Sequence, residues 1–262
     1  MAYEQILFEQ RGAVGLITLN RPERLNAWTE QMQSEMRDAV EYCDREDSIG
    51  AIVFTGAGRA YCAGADISGW ANQIESGERR DGVATRGEDN WVKFIQRQRK
   101  PTVAALNGTA VGVGITHVLP MDIRIAGESA RVGMFFIKMG LVPELASSYF
   151  LAQMVGTSRA LEWCLTGRMI EAQEACDTGL VTEVVPDGAL LGRALEIGET
   201  LAKQPPEAIP MIRQLFMQNA VEGDVDTVMK REGEALARAR ESEDHKEAVR
   251  AFMEKRDPVF RR

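Results

Sequence analysis

An α/β core followed by a helical C-terminal region is the fold class this sequence predicts, and three observations predict it. Short runs of β-branched and apolar residues alternate with helical spacings through the first half of the chain. Two of those runs open directly into glycine-rich turns, Thr55–Asp66 and Asn107–Gly114. From Thr157 onward helical spacing takes over, and from Leu190 it continues almost unbroken to Lys255.

The elements follow in order. Tyr3–Glu9 and Val14–Leu19 read as strands joined through Arg11-Gly12 as a hairpin. Thr29 is placed to cap a helix whose apolar stripe is Met32, Met36, Ala39, Val40 and Cys43. Ala51–Thr55 is a buried strand. The segment 67–99 is polar and glycine-punctuated, with Trp70 and Trp91 as anchors, and reads as a mobile substrate cover ending in a helix near 91–98. Strand Thr102–Leu106, a glycine turn, a short helix and strand Ile123–Ala126 come next. A helix ending at Gly179 precedes the strand "VTEVV", and Pro205-Pro206 and Gly223 interrupt the final helices. The expected division is a core over 1–190 and a helical region over 191–262.

With 45% hydrophobic and 27% charged residues, 262 residues suffice for one large core. The 39 acidic and 31 basic side chains give a net charge of −8, which repels phosphate backbones and anionic lipid, so neither nucleic acid nor membrane is an expected partner. The N-terminus lacks the basic-then-apolar pattern of a signal sequence, and the expected location is cytoplasmic. Cys43, Cys62, Cys164 and Cys176 form no C-x-x-C pair and have only His117 and His245 for company, so no metal site is expected.

The glycine turns fit neither nucleotide fingerprint: G-x-x-x-x-G-K-[ST] is absent from both, and neither completes G-x-G-x-x-G. If the turns converge, one N–H from each can point at a single oxygen, the second from a helix N-terminus. That arrangement is an oxyanion hole. Glycines selected for tight packing alone would leave the same letters. Glu144, in "GLVPELASSY", also carries two readings: a working acid, or a first-turn charge behind Pro143 that complements a helix dipole.

The runs "LNRPERLNAW" (19–28), "AYCAGADI" (60–67), "KPTVAALNGTAVGVG" (100–114), "GLVPELASSYFL" (140–151), "LTGRMIEAQEACDTGLVTEVV" (165–185) and "FMEKRDPVF" (252–260) resemble, in order, the crotonase family of enoyl-CoA hydratases and isomerases. The resemblance implies a crotonase-like spiral of ββα units with a helical C-terminal trimerisation region. It also implies a homotrimer or homohexamer acting on an acyl-CoA thioester, with no cofactor beyond the coenzyme A carried by the substrate. By position, the oxyanion donors fall on the N–H groups of Ala65 and Val113, the latter where the family usually has glycine. Asn26, Ala63, Gly64, Asp66 and Ile67 would border the coenzyme, Gly112 the substrate, and Glu254–Arg256 could meet its phosphates.

A hydratase of this family places two glutamates around one water, at positions that are Thr116 and Phe136 here. Neither is acidic, and Met134, Phe135 and Phe136 make an apolar wall instead. Glu144 remains, in a run similar to the family's one-carboxylate isomerases. The resemblance therefore implies migration of a double bond from the 3,4 to the 2,3 position, with one carboxylate as acid and base. The alternatives are hydration of a 2-enoyl-CoA through Glu144, or a catalytically weak acyl-CoA-binding or RNA-binding relative.

Overall fold

The computed structural model describes residues 2–68 and 90–260. Among them, strands β1 (Ile6–Arg11) and β2 (Val14–Leu19) form an antiparallel hairpin running from Ile6 opposite Leu19 to Arg11 opposite Val14. β1 starts later than the apolar run suggests, because the Glu35 carboxylate accepts from the Glu4 and Gln5 amides before the ladder begins. Thr29 caps helix α1 (Glu30–Arg45) by accepting from the Met32 N–H, and the predicted stripe from Met32 to Cys43 is buried.

After α1 the chain repeats a pattern in which a long strand is followed by a three-residue strand. Strand β3 (Ala51–Gly56) leads to β4 (Ala60–Cys62); β5 (Thr102–Leu106) to β6 (Thr109–Val111); and β7 (Ile123–Gly127) to β8 (Arg131–Gly133). The long strands join one sheet and the short strands another. With β9 (Met169–Glu171) and β10 (Glu183–Val185), the described residues form a six-stranded sheet in the order β1-β2-β3-β5-β7-β10 and a four-stranded sheet in the order β4-β6-β8-β9. The spiral of ββα units is thus a division of labour between sheets. In the first, pairings beyond the hairpin are parallel, as expected when both faces are covered.

Alternation along the strands assigns the two faces. Ile17, Leu19, Ile52, Phe54, Ala104 and Leu106 enter the main core, which also receives α1, helix α2 (Trp91–Arg97) and the small sheet. Their neighbours Val14, Leu16, Val53, Val103 and Ala105 face the opposite way and pack on Leu190 and Ala194. After α2 come helices α3 (Val113–Thr116), α4 (Ser147–Val155), α5 (Thr157–Thr166) and α6 (Ala172–Asp177). Helix α7 (Leu190–Ala202) seals this second face, with Gly198 pressed so near Val14 that an added Cβ would lie 2.8 Å from its Cγ2. On the far side of the expected 190/191 boundary, α7 nevertheless packs as part of the core.

Helices α8 (Ala208–Asn219), α9 (Val225–Glu241) and α10 (Glu243–Glu254) complete the chain, with breaks at the Pro205-Pro206 turn and at Gly223, and a further one at Ser242. Arg213 latches this region to the core. Its guanidinium lies 2.6 Å from the Asp122 carboxylate and donates to the Ile95 and Gln98 carbonyls at the end of α2, while Asp122 also accepts from Thr102. Breaking a pair this sheltered removes attraction and strands a charge, so Arg213→Ala should cost about 3 kcal/mol. A chemical-denaturation midpoint indistinguishable from wild type would show that the latch contributes nothing.

Trp70 and most of the expected substrate cover fall within 69–89, outside the described residues. Among those described, no helix is long and apolar enough to cross a membrane, and no three His, Cys, Asp or Glu side chains gather as metal ligands. Burial pushes the thiols of Cys43 and Cys62 up to about 12, which removes them from thiolate chemistry near neutral pH.

Candidate active site

The two glycine turns do converge. Strands β4 and β6 pair in parallel, placing Ala60 beside Thr109 and Cys62 beside Ala110, so the turns leave the same sheet edge side by side. Their backbones then touch. A Cβ on Gly114 would lie 2.1 Å from the Cys62 carbonyl oxygen, and one on Gly64 would lie 3.2 Å from the carbonyl oxygen of Val111. Gly64 also takes φ +103°, and Gly112 takes φ 53°, ψ −124°, a region costly for any residue with a Cβ.

Ala65 and Val113 emerge from this junction. The neighbouring groups are spent on structure: Trp28 N–H donates to Gly64 O, Asp66 N–H to Trp28 O, and Thr116 N–H to Gly112 O. The N–H groups of Ala65 and Val113 have no protein acceptor among the described residues. Helix α3 is only four residues long, so its macrodipole is weak. Valine at 113 keeps its N–H, and the positive φ of the turn falls on Gly112.

Asn26 has its side chain engaged within the protein. It is fully buried at φ 55°, accepts from Arg21 N–H, and donates to the carbonyls of Ala57 and Ala60, which consumes its amide behind the first turn. Asp66 pairs with Arg21 at 2.9 Å and accepts from Ser68 N–H. The Ser68 hydrogen bonds, then the guanidinium, hold its carboxyl down at about 2. Ala63 and Ala65 are half-buried, Gly64 is buried, and Ile67 is exposed at the rim.

Glu144 is not a first-turn helix charge. Helix α4 begins at Ser147, and the link to it is a left-handed pair, Leu145 at φ 48° and Ala146 at φ 56°. Each such residue without glycine's freedom costs about 1–2 kcal/mol. Buried Leu145 and the Ser147 N–H bond to the Glu144 carbonyl hold the pair in place. The carboxyl is directed to the fully buried Thr116, whose hydroxyl donates to Oε1 at 3.3 Å. Burial raises its pKa, and the Thr116 hydrogen bond opposes part of that rise. Met134 and Phe136 are buried, while Phe135 lies under the Lys138 ammonium.

His117, next on α3, faces away into an aromatic cluster, stacked on Tyr61 with centroids 5.6 Å apart and lying 4.7 Å from Trp28. Trp91 donates its indole N–H to the His117 carbonyl. The ring is fully buried and neither nitrogen has a partner among the described residues. Burial lowers its pKa to about 3, below an unfolded value near 6.5. The folded state therefore binds fewer protons, and this stabilisation is present above pH ~6.5 and lost as pH falls toward the folded value. His117→Phe should flatten the acid side of the stability profile. Parallel wild-type and variant denaturation curves between pH 6.5 and 4 would contradict this.

Sequence reasoning missed two partners. Arg21 sits inside a quoted motif, yet only the fold reveals that it braces Asp66; Thr116 enters the sequence reading only as a position lacking an acid, while its hydroxyl serves as a donor. At the C-terminal end Arg256 is engaged by Glu247 and Glu254, leaving Lys255 of the "EKR" run without a protein partner among the described residues.

Comparisons with known proteins agree with this geometry. The sequence model of the enoyl-CoA hydratase/isomerase family matches residues 9–262. The chain is 34% identical over 259 residues to 1,2-epoxyphenylacetyl-CoA isomerase of Escherichia coli, covering 98% of each protein. It is 36% identical over 249 residues to an enoyl-CoA hydratase of Alternaria alternata, covering 94% of this chain and 82% of the relative. A crystal structure of an enoyl-CoA hydratase from Polaromonas superposes with a TM-score of 0.90 at 27% identity, covering 98% of this chain and 99% of the other. With two glycine turns meeting backbone to backbone in a ββα spiral, and relatives matching along nearly its whole length, this chain belongs to the enoyl-CoA hydratase/isomerase family, the crotonases.

Proposed function

We propose that this acyl-CoA enzyme is a Δ3,Δ2-enoyl-CoA isomerase in which Glu144 carries the proton. The observation that supports this reading is the setting of Glu144: among the described residues its carboxylate stands against Thr116, and by the resemblance Thr116 and Phe136 occupy the two positions where a hydratase would hold its acids. The thioester oxygen accepts from the N–H groups of Ala65 and Val113. The Glu144 carboxylate removes a C2 proton, and the C–H electron pair passes into the enolate whose charge develops on that oxygen. The same carboxyl then returns the proton to C4, the 3,4 double bond becomes the 2,3 bond, and the thioester carbonyl is restored.

A raised pKa suits both halves of this cycle, because a group must take the proton and also give it back. Met134 and Phe136 form a wall that disfavours water near the enolate. Ala63, Gly64, Asp66 and Ile67 would line the coenzyme arm, with Gly112 beside the acyl end. Exposed Leu161 and Leu165 on α5, with Phe216, Met229 and Phe252 on the last helices, support a homotrimer or homohexamer. A net charge of −8 supports a small-molecule partner over RNA.

Hydration of a 2-enoyl-CoA is the second reading, favoured by the hydratase names of several relatives. One assay separates the two: purified protein is given a 3-enoyl-CoA and a 2-enoyl-CoA of matched length, and products are resolved by chromatography. Conversion of the first to its 2-enoyl isomer without gain of water is expected. A 3-hydroxyacyl-CoA as the main product would establish hydration, and no turnover of either would leave an acyl-CoA binder.

A further inference from the structure

We propose that Thr116 is the positioning residue for Glu144, fixing which carboxyl oxygen faces substrate and tying the acid to the helix that carries an oxyanion donor. Part of the inference rests on Glu144 being the acid; the hydrogen bond itself can be tested without that assumption.

Geometry carries the argument. Thr116 is fully buried, and its hydroxyl donates to Glu144 Oε1 at 3.3 Å, leaving Oε2 for a proton. The same residue closes α3 by donating its N–H to Gly112 O, and Val113 lies three positions earlier on that helix. A rise of about 1.5 Å per residue places donor and hydroxyl roughly 4.5 Å apart along the axis. Oxyanion hole and acid therefore share one rigid turn. Glu144 itself lies outside any helix, three residues before α4, so the Thr116 hydroxyl is its link to that turn.

Among the described residues, the surroundings leave Thr116 as the hydrogen-bonding partner of the carboxylate. Met134, Phe135 and Phe136 carry no charge, Lys138 sits 4.0 Å from the Phe135 centroid, and His117 turns into the aromatic cluster. Ser147 and Tyr149 lie beyond the acid in the first turn of α4, and no Lys or Arg pairs with Glu144 among the described residues. A donor to the ionised form stabilises it, which matches the lowering effect of Thr116 against the larger raising effect of burial.

The test compares wild type, Thr116→Val, Thr116→Ser and Glu144→Gln. The Glu144 carboxyl is titrated by NMR in protein labelled with 13C at glutamate carboxyls, its signal assigned by absence from the Gln variant. The pH profile of kcat/KM on a 3-enoyl-CoA is recorded in parallel. Removing the donor should move both the titration and the acidic limb to higher pH in Thr116→Val, with kcat/KM lower by roughly tenfold. Thr116→Ser should restore all three.

An unmoved titration in Thr116→Val overturns the proposal, as does a Ser variant that behaves like Val, which would make the side chain's shape its contribution. Full activity in Glu144→Gln would overturn the isomerase mechanism while leaving the titration to decide the role of Thr116.

Discussion

Glu144→Gln turns over a 3-enoyl-CoA at least about 10²-fold more slowly than wild type while still binding acyl-CoA, because it keeps the shape of the acid and removes its proton chemistry. The loss should fall on kcat, since the proton moves only after the thioester is seated. The same variant should gain stability at neutral pH. Burial holds the folded carboxyl's pKa above its unfolded value near 4.3, so the favourable contribution of this group is complete below that value and is lost as pH rises through the folded pKa. Glutamine does not titrate. Its melting temperature should exceed that of wild type at pH 8, with the gap narrowing toward pH 4. Comparable turnover by the two proteins would remove Glu144 from the mechanism, and a lower melting temperature at pH 8 would show that the buried charge is better compensated than its surroundings suggest.

Gly114→Ala should be nearly as damaging through a different cause. The new Cβ would lie 2.1 Å from the Cys62 carbonyl oxygen and 3.0 Å from the Cys62 Cβ, and the nearest obstacle is backbone rather than a movable side chain. The turns must separate, and Ala65 and Val113 separate with them. Loss of one oxyanion donor costs about 10²–10³ in kcat, which is the expected range here. Gly112→Ala is the matched control: its Cβ meets nothing within 4 Å, so its cost is confined to the φ 53° backbone. A kcat for Gly114→Ala within about threefold of wild type would show that the two N–H groups do not act together on one oxygen.

Legibility in the sequence followed the length and periodicity of each element. Val14–Leu19 and Thr102–Leu106 have the bounds that their apolar runs indicate, and the Thr29 cap and Met32–Cys43 stripe form as the helical spacing requires. The small sheet escaped notice because a three-residue strand carries no period; "AYC" and "TAV" look like parts of glycine turns, and only their pairing makes them strands. At the site, the glycines marked where two loops could meet. The letters around Glu144 misled as to its setting, since Pro143 normally opens a helix, whereas here a left-handed pair delays α4 until Ser147. The burial of Asn26 and the alliance of Thr116 with Glu144 are long-range facts that no local pattern encodes.

The short strands also bear on the order of folding. β4, β6, β8 and β9 have no stability of their own, and each must await a partner tens of residues away, so loop-closure entropy is spent before any ladder bond forms. The long sheet and α1, with more residues per strand and a local hairpin, are the natural nucleus. Catalytic competence is then acquired late, when the small sheet zips onto a scaffold already in place, and the same edge is the first to loosen under mild denaturant. Activity should thus decay before global unfolding, because the proposed oxyanion hole belongs to the least independent layer of the protein.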